Sequence, residues 1–326
     1  MVVSFRTLSF PEEDTALAAW YERCSLCPRA CGIDRLERAG VCGASDVLRI
    51  GRAALHWWEE PCLVGEQGSG AIFFSHCALG CVYCQNKALA QGAGVDASVE
   101  RLAQVMLELQ NEQRAANINL VTASHYAPSV ARVLRSLRRS EEDQHSDAML
   151  HIPVVWNSAG YEGQATLQLL DGLVDIYLVD FKYANPKTAQ RLSHAQNYPD
   201  IALAAIDEML SQVGEPQFDE NGLLRKGVII RHLVLPGYVD DSLEALSVIH
   251  ERFGNRVLVS IMNQFTVVDS DLDLRAYGLE EAVSDEDYER VLDHADALGI
   301  ENYFWQEGGA ASESFVPAFD GTGVLC

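Results

Sequence analysis

From residue 70 onward, short apolar runs alternate with stretches whose apolar residues recur every three or four positions. The runs at 71–75 (AIFFS), 117–122 (NINLVT), 151–156, 174–180 (VDIYLVD), 228–235 (VIIRHLVL) and 256–262 (RVLVSIM) predict strands. Ser98 is placed to cap a helix carrying Leu102, Val105, Met106 and Leu109. Further helices are predicted over 129–139, 163–170, 186–193, 201–213 and 242–253. Strands alternating with helices build a parallel sheet with right-handed crossovers. Six units are too few for an eight-unit barrel, so the pattern predicts a partial barrel or a doubly wound sheet.

Residues 1–69 read differently. They are Cys- and Gly-rich, with little periodicity beyond a short helix over 14–21. Two insertions stand out: a polar loop at 140–145 (SEEDQH), and 218–225 (FDENGLLR), whose Asn221-Gly222 is a hairpin-turn signal. The tail joins an acidic loop, an amphipathic helix over 285–298 and an apolar 303–305. We therefore expect a Cys-rich metal-binding extension over 1–69, an α/β unit over 70–265 and a C-terminal extension over 266–326.

Of 326 residues, 48% are hydrophobic and 22% charged, which excludes a disordered or fibrous chain. With 47 acidic against 24 basic residues the net charge is −23, so phosphate backbones and anionic membranes are repelled, and neither nucleic acid nor membrane is expected as a partner. No apolar run reaches the ~18–20 residues of a membrane span, and the first residues lack the features of a signal peptide. The expectation is a cytoplasmic protein with reduced thiols.

Eight of the nine cysteines fall within the first 84 residues, a crowding that points to metal. Cys77, Cys81 and Cys84 form C-x3-C-x2-C directly after the run at 71–75. Three thiolates on one tight loop can ligate three irons of a [4Fe–4S] cluster and leave the fourth iron open. Gly80 lets the backbone pass close by. The other readings are three buried thiols or three zinc ligands. Cys24, Cys27, Cys31 and Cys42 read C-x2-C-x3-C-x10-C, which suits Zn²⁺ or a second Fe–S cluster; the spacing does not choose. Cys62 and Cys326 read as unremarkable thiols, and Trp57-Trp58 as packing.

The stretch GSGAIFFSHCALGCVYCQN, with Tyr83 at the aromatic place of CxxxCxφC, resembles the radical S-adenosylmethionine (SAM) superfamily, and within it the pyruvate formate-lyase activating enzyme homologues. CSLCPRACGIDRL, HWWEEPC, NINLVTASHY, VVWNSAGYE, DIYLVDFKY and RHLVLPGYVDD agree, so the resemblance runs from about Cys24 to Asp241. It implies a partial (β/α)6 barrel holding a [4Fe–4S] cluster and SAM at its open end. The methionine end of SAM would chelate the free iron. One electron, from a donor such as flavodoxin or ferredoxin, would break the C5′–S bond. The resulting 5′-deoxyadenosyl radical would take hydrogen from a substrate, with a protein glycine as one candidate.

Asp180-Phe181-Lys182 matches the DxK element that contacts SAM in glycyl-radical activases; the alternative is a strand-end ion pair. Arg231, on an apolar strand, needs an anion, either the SAM carboxylate or an internal partner. Asn157 and Ser158 would reach the ribose or the methionine end, or merely cap a helix. Where many superfamily members carry a GGE-like motif, this chain has Thr122-Ala123-Ser124-His125. There Ser124 and Thr122 could accept from the SAM amino group, and His125 could do the same, face substrate or be structural. His76 stands where the group usually has Gly. Other readings are a small-molecule enzyme whose tail closes the pocket, and a non-catalytic Fe–S carrier or redox sensor. No catalytic side chain beyond these ligands is identified.

Overall fold

The computed structural model describes residues 14–138, 147–267, 273–301, 303–306 and 316–325. The loop expected at 140–145, and Cys326, lie outside them. In chain order the strands are β1 (Leu48–His56), β2 (Ser69–Phe74), β3 (Val95–Ala97), β4 (Ile118–Val121), β5 (Val154–Ser158), β6 (Ile176–Asp180), β7 (Gln217–Phe218), β8 (Leu224–Leu233), β9 (Leu258–Met262) and β10 (Phe304–Trp305). They lie in the order β10-β9-β8-β6-β5-β4-β2-β1-β3, with β7 beside β8. From β2 to β9 the six strands expected from the sequence are mutually parallel. The sheet does not close on itself, and the fold is an α/β partial barrel.

Side chains alternate between the two faces of each strand. One face, including Ile72, Phe74, Leu120, Trp156 and Tyr177, meets the helices in the main core. The other face is the barrel interior. Low in it, Val155, Ile176, Leu178, Ile229 and Leu258 pack on Cys62 and Leu63. Those two belong to the short helix Pro61–Val64, which plugs the end of the barrel opposite the strands' C-termini. Higher up, the same face carries Asn157, Asp180, Arg231 and Ser260. Asp180, Arg231 and Ser260 stand side by side in register.

Most expected helices are present, and three begin early, among them Val239–Phe253, expected from 242. Val99–Asn111 is capped by Ser98 Oγ, which accepts from Arg101 N–H at 3.1 Å. Ala127–Leu137 and Tyr198–Val213 start before the predicted points, each with Pro in its first turn, where a missing N–H costs nothing. No helix among the described residues is long and apolar enough to cross a membrane.

Strand β1 was not apparent in the sequence. Arg49, Gly51 and Arg52 break its apolar pattern, and the ladder to β2 slips between Ile50 and Arg52. Its other edge pairs with β3 and then with the tail, through Gly321 N–H to Gly51 O (2.8 Å) and Ala53 N–H to Thr322 O (2.9 Å). Gly323 has φ +75°, and a Cβ there would collide with Ala53 O. Gly323→Ala is expected to detach this strap at a cost of about 1–3 kcal/mol. Limited proteolysis would show it as new cleavage within residues 316–325, with the barrel intact.

Candidate active site

The loop carrying Cys77, Cys81 and Cys84 leaves the C-terminal end of β2, where parallel α/β folds place their sites. Leu79, Val82 and Tyr83 are buried and anchor it. Val82 N–H bonds Leu192 O at 2.9 Å. His76 enters the loop at φ +76°, an uncommon conformation for a side-chain-bearing residue, and Gly80 turns at φ +67°. The sulfurs are met by donors: Leu79 N–H reaches Cys77 Sγ at 3.4 Å, and Ser193 Oγ–H reaches Cys81 Sγ at 3.1 Å. Ser193 is linked in turn to Tyr183 and Tyr83 at 2.7 Å each step. Burial and the neighbouring thiols push Cys84 up to about 12, against an N–H from Asn86. Burial likewise raises Cys77. Such thiols give up their protons when a metal takes the charge.

Beside this loop the barrel interior holds a polar network. Asp180 Oδ2 accepts from Lys182 Nζ at 2.6 Å, and Asp180 Oδ1 accepts from Arg231 Nε at 2.9 Å. Arg231 Nη2 donates to Asn157 Oδ1 at 2.7 Å, and its Nη1 lies 3.2 Å from Glu59 Oε2. Glu59 Oε1 accepts from Asn119 (3.0 Å) and Asn157 (3.3 Å). Burial pushes the Asp180 carboxyl up, but Lys182 and Arg231 outweigh it and hold the group below its usual range. Burial raises Glu59 despite Arg231. Lys182, lowered by burial but raised more by Asp180, also acts on the charges of Cys77, Cys81 and Cys84. The structure thus brings Asn157, Asp180, Lys182 and Arg231 together next to the cysteine loop.

Ser158 and Ser124 stand apart from this network. Asn157 faces the interior, so its neighbour Ser158 faces the helices, where its Oγ accepts from Gly160 N–H at 3.1 Å. Ser124 Oγ donates to the buried Glu162 at 2.5 Å. Thr122, at the end of β4, has φ +60°, a strained conformation for a β-branched residue. His125 is buried: its ring bonds Ser75 O at 2.7 Å, and burial drives its pKa down to about 3. Cys62 sits in the apolar plug, its thiol pushed up to about 12 by burial and Glu60. Trp57 and Trp58, read as packing, are half-exposed, with the Trp57 ring lying against Gly68.

Glu59, Asn119 and Ser193 were not anticipated as site residues. Glu59 reaches the network from the plug, far away in sequence, and its signal lay in the quoted HWWEEPC.

Among the described residues no three His, Cys, Asp or Glu side chains close around one metal ion. A [4Fe–4S] cluster asks for a different arrangement, with each sulfur on its own iron. The all-sulfur donor set, the N–H and O–H donors aimed at it and the adjacent Lys182 fit that group. The network beyond has cations for a carboxylate and carboxylates for an amino group, as the polar end of SAM requires.

The chain matches the family model described as the Radical SAM superfamily over residues 71–249, more than half its length. An uncharacterized protein of Methanocaldococcus jannaschii is 29% identical over 255 residues, which cover 75% of this chain and 66% of the relative. Among solved structures, Streptococcus suis SuiB bound to precursor peptide SuiA is similar at 14% identity and a TM-score of 0.48, covering 72% of this chain and 48% of that one. HydG, a maturase of the [FeFe]-hydrogenase, is similar at 14% and 0.48, covering 73% and 52%. The chain thus spans about half the length of these structures and just under two thirds of the archaeal relative. Its cysteine loop lies inside the matched region, and the chain belongs to the radical SAM superfamily.

Proposed function

We propose that the protein cleaves SAM reductively and abstracts hydrogen from a protein substrate, in the manner of a glycyl-radical activase. The observation that carries this reading is the placement of Cys77, Cys81 and Cys84 against the Lys182–Asp180–Arg231–Asn157 network. The three cysteines would hold the cluster. When bound, the cluster and SAM supply one-electron cleavage of the C5′–S bond and hydrogen abstraction. Asp180 is ionised between two cations, so it orients a ligand and does not move a proton. Lys182 and Arg231 offer charge-assisted donors to a carboxylate. Phe73, Val121 and Phe319 line the interior beside β2 and keep water from it. A flavodoxin- or ferredoxin-type protein would supply the electron.

Binding of SAM to the anaerobically reconstituted protein, followed by equilibrium dialysis, tests the site. Lys182→Met and Asp180→Asn are expected to weaken it at least about tenfold. Unchanged binding in both would contradict the assignment. Ser193→Ala removes a donor from a cluster sulfur and is expected to lower the cluster's reduction potential, read by EPR-monitored titration.

A small-molecule substrate is the second reading, favoured by one observation. The tail inserts Phe319 beside Phe73, with ring centroids 5.6 Å apart, and so narrows the barrel interior. Incubation with SAM, reductant and either the protein fraction or the low-mass fraction of a soluble extract separates the two. A stable carbon-radical EPR signal on a protein supports activation. Stimulation of SAM cleavage by the low-mass fraction alone supports the second reading.

A further inference from the structure

The N-terminal cysteines and the cluster loop meet at one side chain. Arg29 lies between Cys27 and Cys31. Its guanidinium donates to four carbonyl oxygens: Ala78 (3.1 Å), Leu79 (3.2 Å), Ser193 (3.0 Å) and His194 (2.6 Å). Ala78 and Leu79 are within the loop between Cys77 and Cys81. Ser193 is the residue whose hydroxyl donates to Cys81 Sγ. One planar fork therefore fixes both the ligand loop and the hydrogen-bond donor of a ligand, a task an ammonium cannot perform. The face of the guanidinium lies over the Tyr161 ring, 5.4 Å from its centre.

At its other end Arg29 belongs to the N-terminal group. The backbone closes residues 24–33 into one tight loop: Ala30 N–H bonds Cys27 O at 2.9 Å, Gly32 N–H bonds Cys24 O at 2.9 Å and Cys24 N–H bonds Ile33 O at 3.1 Å. Cys24 and Cys31 pack in the same small cluster. Cys24 Sγ lies 3.9 Å from Nη1 of Arg35, a fully buried cation. The same guanidinium donates through Nε to Ala44 O at 3.1 Å, and Ala44 O also accepts from Gly40 N–H at 2.9 Å. Arg35 therefore ties the Cys24 sulfur to the turn that carries Cys42.

We propose that Cys24, Cys27, Cys31 and Cys42 hold a thiolate-bound metal centre, and that Arg29 is a positioning residue carrying its occupancy to the catalytic loop. Metal binding releases the thiol protons to solvent and pins Cys27 and Cys31. The three residues between them then lose their freedom, and Arg29 is held with its fork on the four carbonyls. No three of these sulfurs close around a single ion, so an iron–sulfur cluster, with each thiolate on its own iron, fits them better than zinc. The coupling rests on reading Cys77, Cys81 and Cys84 as the catalytic cluster ligands; the N-terminal site does not.

The test uses full-length protein, purified anaerobically and assayed for zinc, iron and sulfide. The Cys77→Ala/Cys81→Ala/Cys84→Ala variant is expected to keep one metal centre, as iron with sulfide, and a further Cys24→Ala/Cys42→Ala change is expected to remove it; zinc there in place of iron overturns the cluster assignment. A triple variant with neither metal overturns the site, whatever happens at the catalytic loop. For the coupling, Arg29→Ala and Arg29→Lys should retain the N-terminal metal, which also reports that they fold. Their catalytic cluster should show an altered EPR signal and lose iron to a chelator at least about tenfold faster. Cys24→Ala/Cys42→Ala alone should reproduce that change. A cluster indistinguishable from wild type in Arg29→Ala overturns the coupling.

Discussion

An Arg231→Ala protein is expected to lose about 3–5 kcal/mol of stability, because removing one member of a buried ion pair leaves the others uncompensated. Arg231 is shared by Asp180, Glu59 and Asn157, so all three lose a partner at once. SAM binding should fall with it. The two effects can be separated by removing charge on both sides: Arg231→Met with Asp180→Leu should recover much of the stability, since an apolar replacement of a buried pair is often near neutral. SAM binding should stay lost. Full recovery of SAM binding in that double variant would show that the network is only structural.

The same network sets a pH signature. Asp180 is held below its usual range, so its contribution is present above the unfolded value near 3.9 and is lost as pH falls through the folded value. Glu59 is raised by burial, and its contribution runs the other way, present in acid and lost as pH rises through the folded value. Thermal melts of wild type should therefore weaken below about pH 4, and Asp180→Asn should flatten that limb and move the Glu59 limb to lower pH, because the Asp180 charge helps to raise Glu59.

Replacing Cys81 by alanine is expected to cost the larger part of catalysis. It removes one of three cluster ligands and the acceptor of the Ser193 hydroxyl. Iron and sulfide retained after reconstitution should drop, and SAM cleavage should fall to background. Cys62→Ala is the matched control. Its thiol lies in the apolar plug, away from the loop, so cluster content and SAM cleavage should survive. Loss of the cluster in both variants would mean that unfolding, not ligation, explains the Cys81 result.

The parallel strands were legible because a strand covered on both faces reads as a continuous apolar run. Strand β1 was hidden by its half-buried arginines and its bulge. Asp180, Lys182 and Arg231 could be found because polar residues at the ends of apolar strands need a reason to be there. The period of two could also have sorted Asn157 from Ser158, since adjacent strand residues cannot share a face. Glu59 could not be placed by any local rule. It enters the site from a plug whose position depends on the barrel having already formed around Cys62 and Leu63. Arg29 was equally silent, because its role lies in carbonyls about 50 and 165 residues away.

The most direct measurement is release of 5′-deoxyadenosine from SAM by the anaerobically reconstituted, reduced protein, beside its Cys77→Ala/Cys81→Ala/Cys84→Ala variant. Product from the wild type and none from the variant is the expected result. Equal product from both, or none from either while SAM leaves the reduced cluster's EPR signal unchanged, would contradict assignment of this loop as the site of SAM cleavage.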